Sequence, residues 1–199
     1  IDAARRLERF DDDAERLAAA FWPGPLTLVL PKRPDCPVAD LARAGLDSVG
    51  IRVPAHPIAR ALLKAFGAPV VAPSANRSGH VSPTSATHVL GDLRGRIDMV
   101  LDGGPCTVGV ESSIVALLGE PTLLRPGGVA RADIACVLRQ PLAIAIDDDA
   151  APIAPGMKAR RQNPAIFAFL TLRPSVYARP SSLPIARNAA PKSLRATSQ

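Results

Sequence analysis

The chain has 199 residues, of which 47% are hydrophobic and 4% aromatic, so one domain with an aliphatic core plus an appendage is expected. The net charge of +6 is unevenly distributed: residues 152–199 hold eight basic and no acidic side chains, whereas residues 1–151 hold 16 basic and 18 acidic ones. This weakens the case for a basic nucleic-acid-binding domain in residues 1–151. No apolar run approaches the roughly 20 residues of a membrane span. Three widely spaced cysteines disfavour a metal site or a disulfide framework and favour a reducing, cytoplasmic setting.

Hydrophobic spacing and the positions of Pro and Gly predict the secondary structure. Apolar residues three or four apart indicate helices, and short apolar runs closed by proline indicate strands. The predicted elements, in chain order, are helix 2–21, strand 26–30, a loop with a short helix over 32–43, strand 48–53, helix 57–66 capped by Gly67, strand 69–72, helix 85–93 capped by Thr84, strand 97–101, strand 113–118, strand 121–124 and helix 131–138.

Single helices interspersed with short strands predict a twisted mixed β-sheet with helices packed on it, in the α/β or α+β class. Strands 113–118 and 121–124 are close in sequence, which indicates some antiparallel pairing. The domain is expected over residues 1–149. Residues 150–199 are expected to be a linker and a disordered basic tail, because seven prolines and eight basic residues occur there without an acidic one.

Small polar residues follow the predicted strand 69–72, in the sequence Pro73-Ser74-Ala75-Asn76. Ser74 and Asn76 can each donate and accept hydrogen bonds, and their small neighbours let a ligand approach the backbone. An ordinary turn is the alternative, because Pro, Ser and Asn are common in turns.

Two arginines occur where predicted strands end. Arg52 lies in an apolar run, and it needs a charged partner: either a ligand carboxylate or an internal Asp or Glu. Arg125 precedes Pro126-Gly127-Gly128, whose backbone N–H groups suit a phosphate. Residues 103–113, which end in Glu111-Ser112-Ser113, either close over a ligand or form a plain glycine-rich connection. Neither a P-loop nor a GxGxxG pattern occurs.

Five longer motifs then resemble one family in order and spacing. They are FWPGPLTLVL (21–30), IRVPAHPIA (51–59), APVVAPSANRSGHVSPT (68–84), DMVLDGGPCTVGVESSIV (98–115) and PTLLRPGGV (121–129). Together they make residues 1 to about 145 resemble the YrdC-like threonylcarbamoyl-AMP synthases. The resemblance implies the YrdC-like fold and a reaction that joins L-threonine, bicarbonate and ATP into threonylcarbamoyl-adenylate, with release of pyrophosphate. The product would pass to a tRNA threonylcarbamoyl transferase complex.

The resemblance also implies roles for individual residues. Arg52 would hold the threonine carboxylate, with Ala72 and Ser112 lining the threonine pocket. ATP would be contacted by Ser48, Ser74, Ser82 and Arg125, and Asn76 would support the same pocket. Mg²⁺ would accompany the phosphates. No nucleophile is implied, because such a site works by positioning and by neutralising charge.

This sequence departs from the family pattern at both ends. The family carries an N-terminal segment with a Lys-x-Arg motif that would precede Ile1, so little activity is expected from the chain as given. Beyond Lys158 the resemblance ends, and the acid-free stretch that follows is also what translation in a wrong frame would give. Two alternatives stay open. One is an RNA-binding YrdC-like module that contacts tRNA or double-stranded RNA, and the other is a carbamoyl-adenylate-handling maturation domain.

Overall fold

The structure is a computed structural model that describes residues 2–145 and the strand Ala168–Phe169. Its helices are α1 (Asp2–Arg5), α2 (Asp12–Phe21), α3 (Pro57–Phe66), α4 (Ala86–Leu93) and α5 (Arg131–Leu138), with a 3₁₀ helix at Asp40–Arg43. Its strands are β1 (Leu26–Pro31), β2 (Ser48–Arg52), β3 (Val70–Val71), β4 (Ser113–Ala116), β5 (Thr122–Arg125), β6 (Ala143–Ile144) and β7 (Ala168–Phe169).

The seven strands form one mixed sheet in the order β3-β7-β2-β1-β4-β5-β6. β1 pairs antiparallel with β2 and parallel with β4, while β4 pairs antiparallel with β5. Towards the edges of the sheet, β7 pairs parallel with β2 and antiparallel with β3, and β5 pairs parallel with β6. The predicted mixed sheet with helices is therefore confirmed, as is the antiparallel pairing of the strands near residues 113 and 125.

Helix boundaries follow local side-chain chemistry. The Asp11 carboxylate accepts a hydrogen bond from the backbone N–H of Ala14 (2.8 Å) and so caps α2. Helix α3 begins at Pro57 and ends at Gly67, whose φ of 75° is left-handed and easily adopted without a Cβ. The N-cap of α4 is Ser85 rather than the predicted Thr84, because the Ser85 hydroxyl accepts from the His88 N–H.

The two faces of the sheet are used differently. Leu26, Leu28 and Ile51 alternate onto one face, where they join a large core with side chains of α2 and α5. The other face of β1 and β4 carries a smaller apolar cluster that includes Val29 and Ile114. Thr27 belongs to this second face and, like Val29, is almost fully buried. The second face is thus the one on which β1 presents a polar group.

The predicted single helix over residues 2–21 is wrong, since α1 ends at Arg5 and α2 begins at Asp12. The segment between them runs along the end of β1: the Arg9 N–H donates to the Pro31 carbonyl (3.0 Å), and Glu8 forms an isolated bridge with Lys32. Apolar spacing could not separate one helix from two helices that share an apolar side. The capping aspartates were the signal of the break.

A strand over 97–101 was also predicted, and the structure has none there. Met99 and Leu101 are 80% and 58% exposed, and none of the described strands pairs with this segment. Residues of strand-like composition stay irregular when they have no pairing partner. The short strand β6 was not predicted. Apart from Ala168–Phe169, the predicted linker and tail over 150–199 lie outside the described residues, so that division stays a prediction.

Within residues 2–145, no helix has the length and apolar character that a membrane crossing requires.

One buried carboxyl group is unusual in this core. Glu8 is 1% exposed, and neither of its carboxylate oxygens has a hydrogen-bond partner among the described residues. Burial raises the pKa of Glu8 well above its ordinary value, and nearby Cys36 acts in the same direction. The folded chain therefore binds a proton at Glu8 at pH values where the unfolded chain has released it.

Glu8→Gln is expected to flatten the pH dependence of stability. In the wild type, the stability that Glu8 contributes is fully present below the ordinary Glu pKa and is lost as pH rises from there through the raised folded-state pKa. The wild type and the variant should therefore be equally stable in acid, with the variant more stable as pH rises. Urea unfolding between about pH 4 and pH 8 measures this. Glu120→Gln, at an exposed position, is the control; parallel curves for wild type and Glu8→Gln would contradict the expectation.

Candidate active site

Four strands deliver polar groups to the same end of the sheet. Arg52 ends β2, and the β1–β2 register places it opposite Thr27 near the start of β1. Ser112 immediately precedes β4, whose first residue pairs with Leu26, and Arg125 ends β5 opposite Ile114. The ends of antiparallel neighbours meet in this way, so residues far apart in sequence become adjacent.

Ser112 is the centre of this cluster. Its carbonyl oxygen accepts two hydrogen bonds from Arg125, from Nε at 3.1 Å and from Nη2 at 2.9 Å. Its hydroxyl accepts from Arg125 Nη2 at 3.2 Å and shares a 3.0 Å hydrogen bond with the Thr27 hydroxyl. Ser112 is 4% exposed and Thr27 is fully buried. The guanidinium of Arg125 is thereby fixed against the backbone that leads into β4.

Glu111 adds a carboxylate to the cluster. One of its oxygens forms an ion pair with Arg125 Nη1, and the other accepts a 2.6 Å hydrogen bond from the Ser82 hydroxyl. The Glu111 carboxylate thus connects the residue that ends β5 with the loop between β3 and α4. Glu111 is therefore an internal acidic partner of Arg125, the kind of partner that was one of the two options left open for Arg52.

The two arginines influence each other. Burial lowers the pKa of Arg52, and the positive charge of Arg125 lowers it further. Burial also lowers the pKa of Arg125, while Glu111 acts in the opposite direction. Both groups keep their charge at neutral pH, because an arginine pKa lies far above 7. The site is therefore a partly buried region with two guanidinium groups and one carboxylate, which suits anionic ligands.

The turn after β5 is packed against the segment that contains Ser112. A Cβ on Gly127 would collide with the Glu111 carbonyl oxygen and would lie 2.5 Å from Ser113 N and 2.6 Å from Ser112 C. The Gly128 N–H donates to the Glu111 carbonyl (2.9 Å), and the Ser113 hydroxyl both donates to and accepts from the Val129 backbone. The glycines are therefore required for close approach.

The loop from β3 to α4 is held by its own polar residues. The Asn76 side-chain NH₂ donates to the carbonyls of Arg77 and His80, both at 2.9 Å. Asp92 of α4 accepts from the backbone and side chain of Arg77 and lies 2.7 Å from His80 Nδ1. Hydrogen bonds from Arg77, the backbone one foremost, lower the pKa of Asp92, and His80 acts in the same direction. Asn76 thus shapes the loop that leads to Ser82.

The structure brings some of the predicted site residues together and leaves others apart. Arg52, Ser112 and Arg125 meet at one end of the sheet, and Ser82 reaches them through Glu111. Ser48, in contrast, begins β2 and so lies at the opposite end of that strand, about 13 Å from Arg52 at the usual rise per residue. Ala72 and Ser74 follow β3, which β7 separates from β2.

Two residues of the cluster were not among the predicted site residues. Thr27 was visible only as a single hydroxyl within an apolar strand, and its contact with Ser112 spans 85 positions. Glu111 was seen only as a residue that follows a glycine-containing stretch, and no role of its own was predicted for it. Residues 2–145 contain no group of three or more His, Cys, Asp or Glu side chains arranged to hold a metal ion.

Comparison with known sequences connects this arrangement to one family. The family model Sua5/YciO/YrdC, described as "Telomere recombination", matches residues 1–127. The threonylcarbamoyl-AMP synthase of Bacillus subtilis is 46% identical over 151 residues, which cover 74% of this chain and 43% of the relative. That of Pyrococcus abyssi is 46% identical over 159 residues, 77% of this chain and 46% of the relative. The chain thus spans less than half the length of these relatives.

Solved structures give the same connection. The crystal structure of Pyrococcus abyssi Sua5 complexed with L-threonine matches with a TM-score of 0.71 and 44% identity, over 77% of this chain and 46% of that one. Escherichia coli YciO matches with a TM-score of 0.55 and 24% identity, over 63% of this chain and 61% of that one, and this likeness concerns the fold alone.

Gly127→Ala is expected to lower the free energy of unfolding by about 1–3 kcal/mol, because the new methyl group meets backbone atoms that cannot rotate away. Gly119→Ala is the matched control, since a Cβ at Gly119 meets nothing within 4 Å. Urea unfolding of both variants measures the difference. Equal stability of the two variants would mean that the turn and residues 111–113 are not in close contact.

Proposed function

Because the chain belongs to the Sua5/YciO/YrdC family, we propose that it carries the site of a threonylcarbamoyl-AMP synthase, a nucleotidyltransferase. The proposed reaction converts L-threonine, bicarbonate and ATP into L-threonylcarbamoyl-adenylate, pyrophosphate and water. The single observation that carries the proposal is the cluster of Arg52, Ser112 and Arg125, which offers separate cationic groups on either side of a hydroxyl pair. Two anionic substrates that must react with each other require such an arrangement.

On the threonine side, Arg52 holds the carboxylate of L-threonine. Its planar guanidinium can donate two parallel hydrogen bonds, which fix the direction of the carboxylate as well as its position. The hydroxyl pair of Ser112 and Thr27 lies beside it and can contact the amine or the side chain of the substrate. Ala72 completes the pocket on the family resemblance.

On the nucleotide side, Arg125 and Ser82 bind phosphate oxygens of ATP. Arg125 is held by the Ser112 carbonyl, so its remaining donors are oriented before the ligand arrives. Asn76 supports Ser82 indirectly, through the fold of the loop that both belong to. Ser48 and Ser74 are proposed as ATP contacts on the family resemblance alone.

The proposed reaction needs no covalent bond between the protein and its substrates. The amine of threonine attacks the carbon of bicarbonate, a C–N bond forms and water leaves, which gives a carbamate. A carbamate oxygen then attacks the α-phosphorus of ATP. The bond to the β-phosphate oxygen breaks, and pyrophosphate leaves. The residues contribute by holding the two anions in line and by neutralising the charge on the phosphates.

Mg²⁺ is proposed as a companion of ATP, because in such sites the phosphates supply most of its ligands. The described residues supply no three-ligand cluster of their own, so no step is assigned to the metal. The product would pass to a tRNA threonylcarbamoyl transferase complex, in the cytoplasm. Direct contact with tRNA or double-stranded RNA belongs to the alternative function, an RNA-binding module. The basic residues after residue 151 would be the first place to test for such contact.

Pyrophosphate release from ATP tests the proposed function. Little activity is expected from the chain as given, but any pyrophosphate that it releases should depend on L-threonine and bicarbonate together, and omission of either should reduce the rate to background. L-Valine, which has the same shape without the hydroxyl, serves as the substrate control. A folded chain that binds neither L-threonine nor ATP and releases no pyrophosphate would refute the proposal, and RNA binding by that same chain would favour the alternative module.

Arg52→Gln is expected to weaken L-threonine binding by at least about tenfold, because the substrate carboxylate loses a charge-assisted pair of hydrogen bonds. ATP binding should change much less. Arg60→Gln, on the exposed surface of α3, removes the same charge away from the cluster and should leave both affinities unchanged. Isothermal titration with each ligand separately measures the difference. An equal loss of both affinities would place Arg52 outside a dedicated carboxylate site.

A further inference from the structure

The Glu111 carboxylate lies on the very groups to which the proposed function assigns ATP phosphate. It pairs with Arg125 Nη1 through one oxygen and accepts from the Ser82 hydroxyl (2.6 Å) through the other. A carboxylate that spans an arginine and a hydroxyl uses the same donors that a phosphate oxygen pair would use. Glu111 and a bound phosphate therefore compete for these donors.

The backbone and the side chain of Glu111 are held very differently. The Glu111 carbonyl accepts from the Gly128 N–H (2.9 Å) and is in close contact with Gly127. The side chain, by comparison, is 43% exposed. Rotation about its side-chain bonds can move the carboxylate into solvent without moving the backbone, and a partly exposed ion pair is weak enough to be exchanged.

The charges around Glu111 explain why a carboxylate lies in this position. Arg52 and Arg125 are both half-buried, and the charge of Arg125 acts on Arg52. The Thr27 and Ser112 hydroxyls beside them carry no charge. Glu111 is a negative group of the cluster, and it compensates part of this positive charge through its ion pair with Arg125.

We propose that Glu111 is a specificity-determining residue that acts as an internal competitor: its carboxylate occupies the phosphate position on Arg125 and Ser82 and is displaced by a polyphosphate chain. This inference rests on the proposed function, which assigns those two residues to ATP. A ligand with several negative charges gains enough from the cations to displace the carboxylate, whereas a weakly charged ligand does not. The site therefore selects for a triphosphate and keeps Arg125 paired with Glu111 otherwise.

Inorganic tripolyphosphate is the probe that tests this proposal. Glu111→Gln keeps an oxygen that can accept from Ser82 but removes the charge, so the variant should bind tripolyphosphate about three- to fivefold more tightly than wild type. The matched control is Glu120→Gln, which removes an equal charge at an exposed position outside the cluster and should bind as wild type does. Isothermal titration at low ionic strength, with and without Mg²⁺, measures the affinities.

Two outcomes would overturn the proposal. Unchanged or weaker binding by Glu111→Gln would mean that the carboxylate does not compete with phosphate. A loss of affinity that occurs only with Mg²⁺ would make Glu111 a metal ligand instead. The melting temperature of each variant, measured in parallel, identifies any loss of fold. Should Glu111→Gln fail to fold, Glu111→Asp keeps the charge but is too short to span both partners, and it should give a smaller gain in affinity.

A spectroscopic readout separates displacement from a general structural effect. The Nη1–H signals of Arg125 should shift when wild type is titrated with tripolyphosphate, and Glu111→Gln should begin with a different shift because the ion pair at Nη1 is gone. A constant signal throughout would overturn displacement. None of these measurements needs threonine or turnover. Tighter tripolyphosphate binding by Glu111→Gln in a chain that binds neither L-threonine nor ATP and releases no pyrophosphate would therefore refute the proposed function alone. Pyrophosphate release that depends on L-threonine, together with unchanged tripolyphosphate binding by Glu111→Gln, would refute this inference alone.

Discussion

The close approach of two backbone segments is the constraint on which the site depends. The turn at Gly127–Gly128 lies directly against residues 111–113, with no room for a side chain between them. Because the segments are in contact, Arg125 at the end of β5 reaches the Ser112 carbonyl with two donors, and the Ser113 hydroxyl exchanges hydrogen bonds with the Val129 backbone. A guanidinium fixed in this way loses little entropy when a ligand binds.

The division of the sheet into two faces explains how a small domain keeps both a core and a polar site. Side chains alternate along a strand, so Leu26 and Leu28 can enter the main core while Thr27 between them points to the other face. Ile51 and Arg52 divide in the same manner at the end of β2. A change of register by one residue would move the arginine into the core, which makes correct packing a condition for the site.

The secondary structure was predictable from the sequence where it depends on interactions between residues close together in the chain. Helix α3 and strands β1, β2, β4 and β5 follow from local spacing and from proline and glycine positions, and they occur close to where they were expected. The prediction of a strand over 97–101 was wrong because a strand forms only beside a neighbouring strand, and the composition of a segment does not show whether it has one. The prediction of one long helix over residues 2–21 was wrong because two successive helices can have the same spacing of apolar residues as one.

The site was predictable to the extent that turn chemistry marks strand ends. Arg52, Ser112 and Arg125 could be selected because each stands where an apolar run meets a polar turn. Register alone decides that Thr27 meets Ser112, and no local pattern carries register across 85 residues. The same limit applies to Ser48, to which the resemblance gives an ATP contact, because no local pattern shows that β2 carries it to the far end from Arg52. A motif resemblance assigns a role to a residue by its position in the sequence. The distance between two such residues is set by the arrangement of the strands.

Placing two arginines in a half-buried position is costly for folding, since burial disfavours both charges and they also repel each other. The hydrogen bonds from Arg125 to the Ser112 carbonyl and its ion pair with Glu111 offset part of that cost within the chain. In the site that we propose, a ligand that takes part in this compensation must exchange with a group of the chain itself. The Glu111 side chain is partly exposed, so its ion pair with Arg125 is one that a ligand of higher charge can replace without a change in the backbone. A carboxylate in this position stabilises the folded chain before the ligand binds and still leaves the guanidinium group open to exchange.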